Sequence, residues 1–182
     1  MSRSKIVGMM ALITFAMGML LVGNALAQQK YPYNHSSAPQ SSRFVQQHSI
    51  DVGDIPGHLI RMYEIQRMYT ADHPVIMGAK VVEVWARGSA DYVNGVGPAQ
   101  GYDIMVLEDG SKIFAEWRGT SYSEATSTGS RRGTFHGTIR WIGGTGKYAT
   151  IRGVITAVSE YDTDPKTGYN RTVHKGEYWF EK

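Results

Sequence analysis

The sequence predicts an all-β fold: an eight-stranded antiparallel β-barrel behind a cleaved signal peptide. Three observations carry this. Short runs rich in β-branched and aromatic residues recur at near-regular spacing. Turn chemistry separates them, with Asn94-Gly95 and Asp109-Gly110 the strongest hairpin signals. No stretch after Ala27 carries the apolar period of an amphipathic helix.

Taken in order, the chain opens with Arg3 and Lys5, an apolar run over 6–22 and the small residues Asn24-Ala25-Leu26-Ala27. This is a secretory signal peptide, residues 1–27, with its cut after Ala27. The expected address is therefore outside the cytoplasm, periplasmic or secreted, with no stable membrane span after cleavage. Residues 28–42, rich in Gln, Ser, Pro and Tyr, read as a flexible leader. The β-barrel domain is expected over 43–182. Its strands fall at 43–50, 58–69, 79–88, 102–107, 112–122, 134–142, 151–161 and 173–180. The stretch Trp141-Ile142-Gly143-Gly144-Thr145-Gly146-Lys147-Tyr148 reads as strand, glycine-cornered turn and a short ordered segment before the next strand. Eight strands closed on themselves just enclose one small ligand.

Composition excludes several function classes. Seventeen basic and sixteen acidic residues follow Ala27, a net charge of +1, so nucleic acid is not an expected partner. The chain has no cysteine, which removes thiol nucleophiles and Cys-based metal sites. Its six histidines show no metal-ligand spacing, and no metal or other cofactor is expected. Gly146-Lys147 is followed by Tyr148, and the first-glycine position of a P-loop is Trp141, so no phosphate loop exists there. The same glycines fail as a dinucleotide fingerprint, because a β-branched strand follows where a helix is required.

Side chains alternate faces along the strand at 58–69. One face carries His58, Ile60, Met62, Glu64, Gln66 and Met68; the other carries Leu59, Arg61, Tyr63, Ile65, Arg67 and Tyr69. The two arginines suit solvent, which turns Glu64 and Gln66 inward. A carboxylate among Ile and Met is costly to bury unpaired. Either Glu64 pairs with an inward base such as Lys80 or Arg118, or it acts on a ligand. Trp85, Trp117, Trp141 and Trp179 fall on four strands; most serve packing, and Trp85 and Trp117 are the candidates for stacking on a ligand.

Two segments resemble the allene oxide cyclase barrel superfamily, which includes the plant cyclases and the dirigent proteins. One runs from Asp109-Gly110 through Gly143-Gly144-Thr145-Gly146-Lys147-Tyr148 to Arg152-Gly153. The other is Tyr63-Glu64-Ile65-Gln66, similar to the cyclases' Tyr-Glu-Ile-Asn. The resemblance implies an eight-stranded, often trimeric barrel with an apolar cavity. It also implies a catalytic role for Glu64 and a water-positioning role for Gln66. Beside Met62, Trp85 and Trp117, read from the strand face and the tryptophans, the resemblance adds Pro74, Lys80 and Tyr122 as candidate substrate-binding positions. The sequence departs from the cyclases in three places: Gln66 replaces an asparagine, His73 replaces the serine before Pro74, and Lys80 falls where a cysteine is found.

The expectation is thus an exported barrel acting on a small hydrophobic molecule. It is either a cofactor-free isomerase or cyclase, or a lipocalin-like or dirigent-like binding protein with no catalytic group.

Overall fold

The computed structural model describes residues 28–39, 42–164 and 168–182. The signal peptide expected over 1–27 lies outside the described residues. Ten strands form one antiparallel arrangement, and no α-helix occurs among the described residues. They are β1 (Lys30–Ser36), β2 (Ser42–Asp51), β3 (His58–Met68), β4 (Val75–Ile76), β5 (Ala79–Val93), β6 (Val96–Leu107), β7 (Lys112–Ala125), β8 (Arg131–Gly144), β9 (Ile151–Asp162) and β10 (Tyr169–Phe180). The main sheet runs in the order β1-β10-β9-β8-β7-β6-β5-β3-β2, with β4 pairing β5.

The all-β expectation holds, but the closed eight-stranded barrel does not. Two strands are added, and no backbone ladder joins β2 to β1 or β10. The sheet rolls until β2 and β10 touch, and side chains rather than main-chain hydrogen bonds span the seam. One of the added strands, β1, occupies part of the stretch read as a leader; it pairs with β10 from Lys30↔Trp179 to Ser36↔Val173.

The hairpins form where their residues demand. Asn94 and Gly95 both take positive φ, 54° and 84°, and join β5 to β6. Gly110, at φ 80°, closes β6 onto β7 through Gly110 N–H to Leu107 O at 2.9 Å. The glycine corner also forms, with Gly146 at φ 56° opening a single 3-10 turn, Gly146–Tyr148, that buries Tyr148 completely.

The strands at 79–88 and 102–107 are longer than their sequence pattern suggested, because Gly88, Gly97 and Gly101 lie inside them rather than ending them. These glycines make room for aromatics. A Cβ at Gly101 would sit 2.1 Å from Arg87 O and 2.6 Å from the Trp117 ring; one at Gly88 would meet the same ring at 2.6 Å. The Phe135 ring lies over Gly119 and Gly137 in the same way. Each large interior ring thus occupies volume vacated on a neighbouring strand, which lets the rings pack closely against the inner face. The main core gathers Val81, Leu107, Ile113, Trp141, Ile151 and Ile155 at the end of the roll that holds Tyr148 and Ile76.

Gly101→Ala is expected to destabilise the protein by about 1–3 kcal/mol, since the added methyl meets backbone that does not yield. Urea denaturation checks this, and an unchanged midpoint would contradict the packing described.

Candidate functional site: a polar chamber inside the roll

The face of β3 that enters the interior is the one bearing arginines. Arg61, Tyr63, Ile65 and Arg67 line an internal cavity of about 100 Å³, together with residues of β2 and β5 to β10. The inward placement of Glu64 and Gln66 is therefore corrected. Glu64 binds Arg87 at 2.7 Å on the opposite face, with 15% of its side chain exposed. Gln66 accepts from Arg43 (2.6 Å) and donates to Glu83 (2.7 Å) on that same face.

The physical reason lies in partners distant along the chain. Arg61 donates to Gln47 and stacks over the rings of Phe44 and Tyr63 at 5.1 and 5.2 Å. Arg67 donates from Nε to Ser42 Oγ (2.7 Å), and from Nη2 to Asn170 Oδ1 (2.9 Å) and Thr172 Oγ1 (3.2 Å). Satisfied in this way, both guanidinium groups tolerate the interior. Ile60 and Met62, which made the other face look apolar, are 44% and 64% exposed.

Of the predicted substrate-binding residues, only Trp117 lines the chamber. Met62, Glu64 and Trp117 all border a second, larger hollow on the outer face. Trp85 is half-buried and near Arg87, Pro74 is buried in the 70–78 segment, and Lys80 and Tyr122 are exposed; none borders either space.

The acid inside the roll is Asp103. It shares its strand face with Met105 and Leu107, both buried. The Trp117 indole lies beside its carboxylate, while Oδ1 is buried with no partner. Burial raises its pKa to about 6, against the opposing pull of the Arg67 charge and the Trp117 indole N–H. His174, also buried, has Nδ1 without a partner. Burial, then the charges of Arg67 and His35, push it down to about 3, so it is neutral at physiological pH. His35 is lowered as well, chiefly by burial, and Tyr33, Tyr63 and Tyr69 are raised chiefly by desolvation. The chamber therefore has a polar end around Arg67, Asp103 and His174 and an aromatic end around Tyr63, Trp117 and Phe135.

Sequence reasoning missed Arg67, Asp103 and His174. A signal for Asp103 was present: it falls at i, i+2, i+4 with Met105 and Leu107, so a lone carboxylate shares the parity of the apolar set. Among the described residues no group of His, Asp and Glu side chains is arranged to hold a metal ion. Comparison with family models, with curated proteins and with solved structures returns no match for this chain.

The two perturbed groups act oppositely on stability. Asp103 has a folded pKa above its unfolded value of 3.8, so the native protein keeps a proton that the unfolded chain has lost. Its contribution falls as pH rises from 3.8 to about 6. His174 has a folded value below 6.5, and its contribution falls as pH drops from 6.5 towards about 3. The stability difference between the native protein and Asp103→Asn is thus expected to shrink as pH rises from 3.8 to about 6. For His174→Asn it is expected to shrink as pH falls below 6.5. Urea midpoints measured across pH test both signs.

Proposed function

We propose that this protein is an exported binding protein that holds a compact, largely apolar molecule with one hydrogen-bond donor inside its rolled sheet. The observation that carries the reading is the unpartnered Asp103 Oδ1 beside the cavity, whose lining also includes the rings of Tyr63, Trp117 and Phe135. A buried acceptor left without a donor costs about 1–3 kcal/mol, which a donating ligand recovers. The neutral His174 adds a second buried nitrogen without a partner. Size bounds the ligand. An apolar cavity of ~150 Å³ takes a benzene ring, so about 100 Å³ suits a single ring or a few heavy atoms.

The resemblance to the allene oxide cyclase superfamily supports an enclosed hollow and an oligomer, a trimer by analogy. Its isomerase chemistry gets less support, because the motif glutamate, Glu64, is paired with Arg87 outside the chamber. An enzymatic second reading rests on one observation: Asp103, with a pKa of about 6, is poised to hold or release a proton near neutral pH. In that reading Asp103, not Glu64, is the general acid or base of a cofactor-free isomerisation.

Native mass spectrometry of protein purified from its own host is the test. A bound molecule of about one-ring size is expected, lost in Asp103→Asn and kept in Glu64→Gln. Loss in Glu64→Gln alone, or an empty native protein, would overturn the proposal. If Asp103→Asn keeps the molecule but no longer converts it, the enzymatic reading stands in place of simple binding.

A further inference from the structure

The outer face of the sheet carries a hollow of about 700 Å³ that the interior chamber does not explain. Its floor spans β2, β3, β5, β6, β7 and β8. One cross-strand row runs Gln46↔Glu64↔Arg87↔Tyr102↔Glu116↔Arg140. The next runs His48↔Met62↔Ser89↔Gln100↔Arg118↔Thr138. All of these side chains border the hollow.

The first row is largely self-compensated. Arg87 pairs with Glu64 at 2.7 Å, and Arg140 approaches Glu116 at 3.9 Å. Arg118 is different: among the described residues it makes no ion pair and no side-chain hydrogen bond, and Gln100 and His48 beside it make no side-chain hydrogen bond either. Tyr102 is 63% exposed, so its ring offers an apolar surface within a polar hollow.

These features select against most ligand classes. Two carboxylates among the arginines repel a polyphosphate backbone. The core of a protein interface is depleted in charge, and this floor carries Glu64, Arg87, Glu116, Arg118 and Arg140. The volume lies in the range of small-molecule sites, and the lining mixes apolar surface with many hydrogen-bonding side chains rather than being purely apolar. A polyhydroxylated ligand meets the pattern. Each hydroxyl donates and accepts, and Gln, Glu, Arg and His side chains alternate those roles across the rows. The C–H face of a sugar ring suits Tyr102 and the exposed Met62.

We propose that this hollow binds an oligosaccharide whose bound segment carries one carboxylate, with Arg118 pairing that carboxylate and Tyr102 stacking on a ring. Arg118 supplies the one uncompensated positive charge of the floor, and a bidentate guanidinium–carboxylate pair fits it. This site shares Tyr63 and Trp117 with the lining of the interior chamber but uses neither Asp103 nor His174.

Isothermal titration of the purified protein with tri-D-galacturonate tests this, with cellotriose and inorganic phosphate as comparisons. Trigalacturonate is expected to bind at least tenfold more tightly than cellotriose. Arg118→Gln and Tyr102→Ala should each lower its affinity tenfold or more with little change in thermal midpoint, since both side chains are exposed. Asp103→Asn should leave this binding unchanged, which separates failure here from failure of the interior site. Absence of trigalacturonate binding, equal binding of phosphate, or an unchanged affinity in Arg118→Gln would overturn the proposal.

Discussion

Arg67 is the group on which the rest of the architecture depends. Its guanidinium binds Ser42 on β2 and Asn170 and Thr172 on β10, and so spans the one place where the sheet has no backbone ladder. A sheet of nine consecutive strands has two open edges, and its interior is shielded only if they are brought together. Here a side chain performs that task. The cost of holding a cation inside is offset by three oxygen acceptors and by the nearby carboxylate of Asp103. That cation also sets the chemistry around it. It adds to the lowering that burial imposes on His174 and His35, and it opposes the rise that burial imposes on Asp103.

The size of the chamber follows from packing between neighbouring strands. Glycines at 88, 101, 119 and 137 let Trp117 and Phe135 lie flat across adjacent backbone. The rings consume most of the interior, and what remains is about 100 Å³. The charged outer face, free of that packing, keeps a far larger hollow. The two spaces share Tyr63 and Trp117, yet the rest of their linings differ: mostly aromatic, aliphatic and buried polar groups inside, and a row of glutamates and arginines outside.

Glu64 illustrates how a motif and its placement separate. The tetrapeptide Tyr63-Glu64-Ile65-Gln66 pointed to an inward glutamate, but a strand presents alternate residues to opposite sides, and a shift of one reverses the assignment. On this strand both faces mix apolar and charged groups, so hydrophobicity alone does not choose between them. The choice falls to Gln47, Phe44, Ser42, Asn170 and Thr172, which satisfy the two arginines on the inner side. The last two lie more than a hundred residues away from Arg67.

Local chemistry alone was enough to specify the β class, the Asn94-Gly95 and Asp109-Gly110 hairpins, the glycine corner before Tyr148 and the approximate position of eight strands. Each depends on neighbours a few residues apart, through turn dihedrals and β-branched propensity. The lengths of β5 and β6 were hidden, because glycines that read as breaks are sites where a ring from another strand rests. The pairing of β1 with β10, the side-chain seam and the inward set of Arg67, Asp103 and His174 were decided only by the tertiary structure. For the seam and for Arg67 the physical reason is that a polar group is stable inside only when its partners arrive, and here Asn170 and Thr172 arrive from more than a hundred residues away. Asp103 and His174 keep a buried atom without a partner and are carried inward by the packing of their strands.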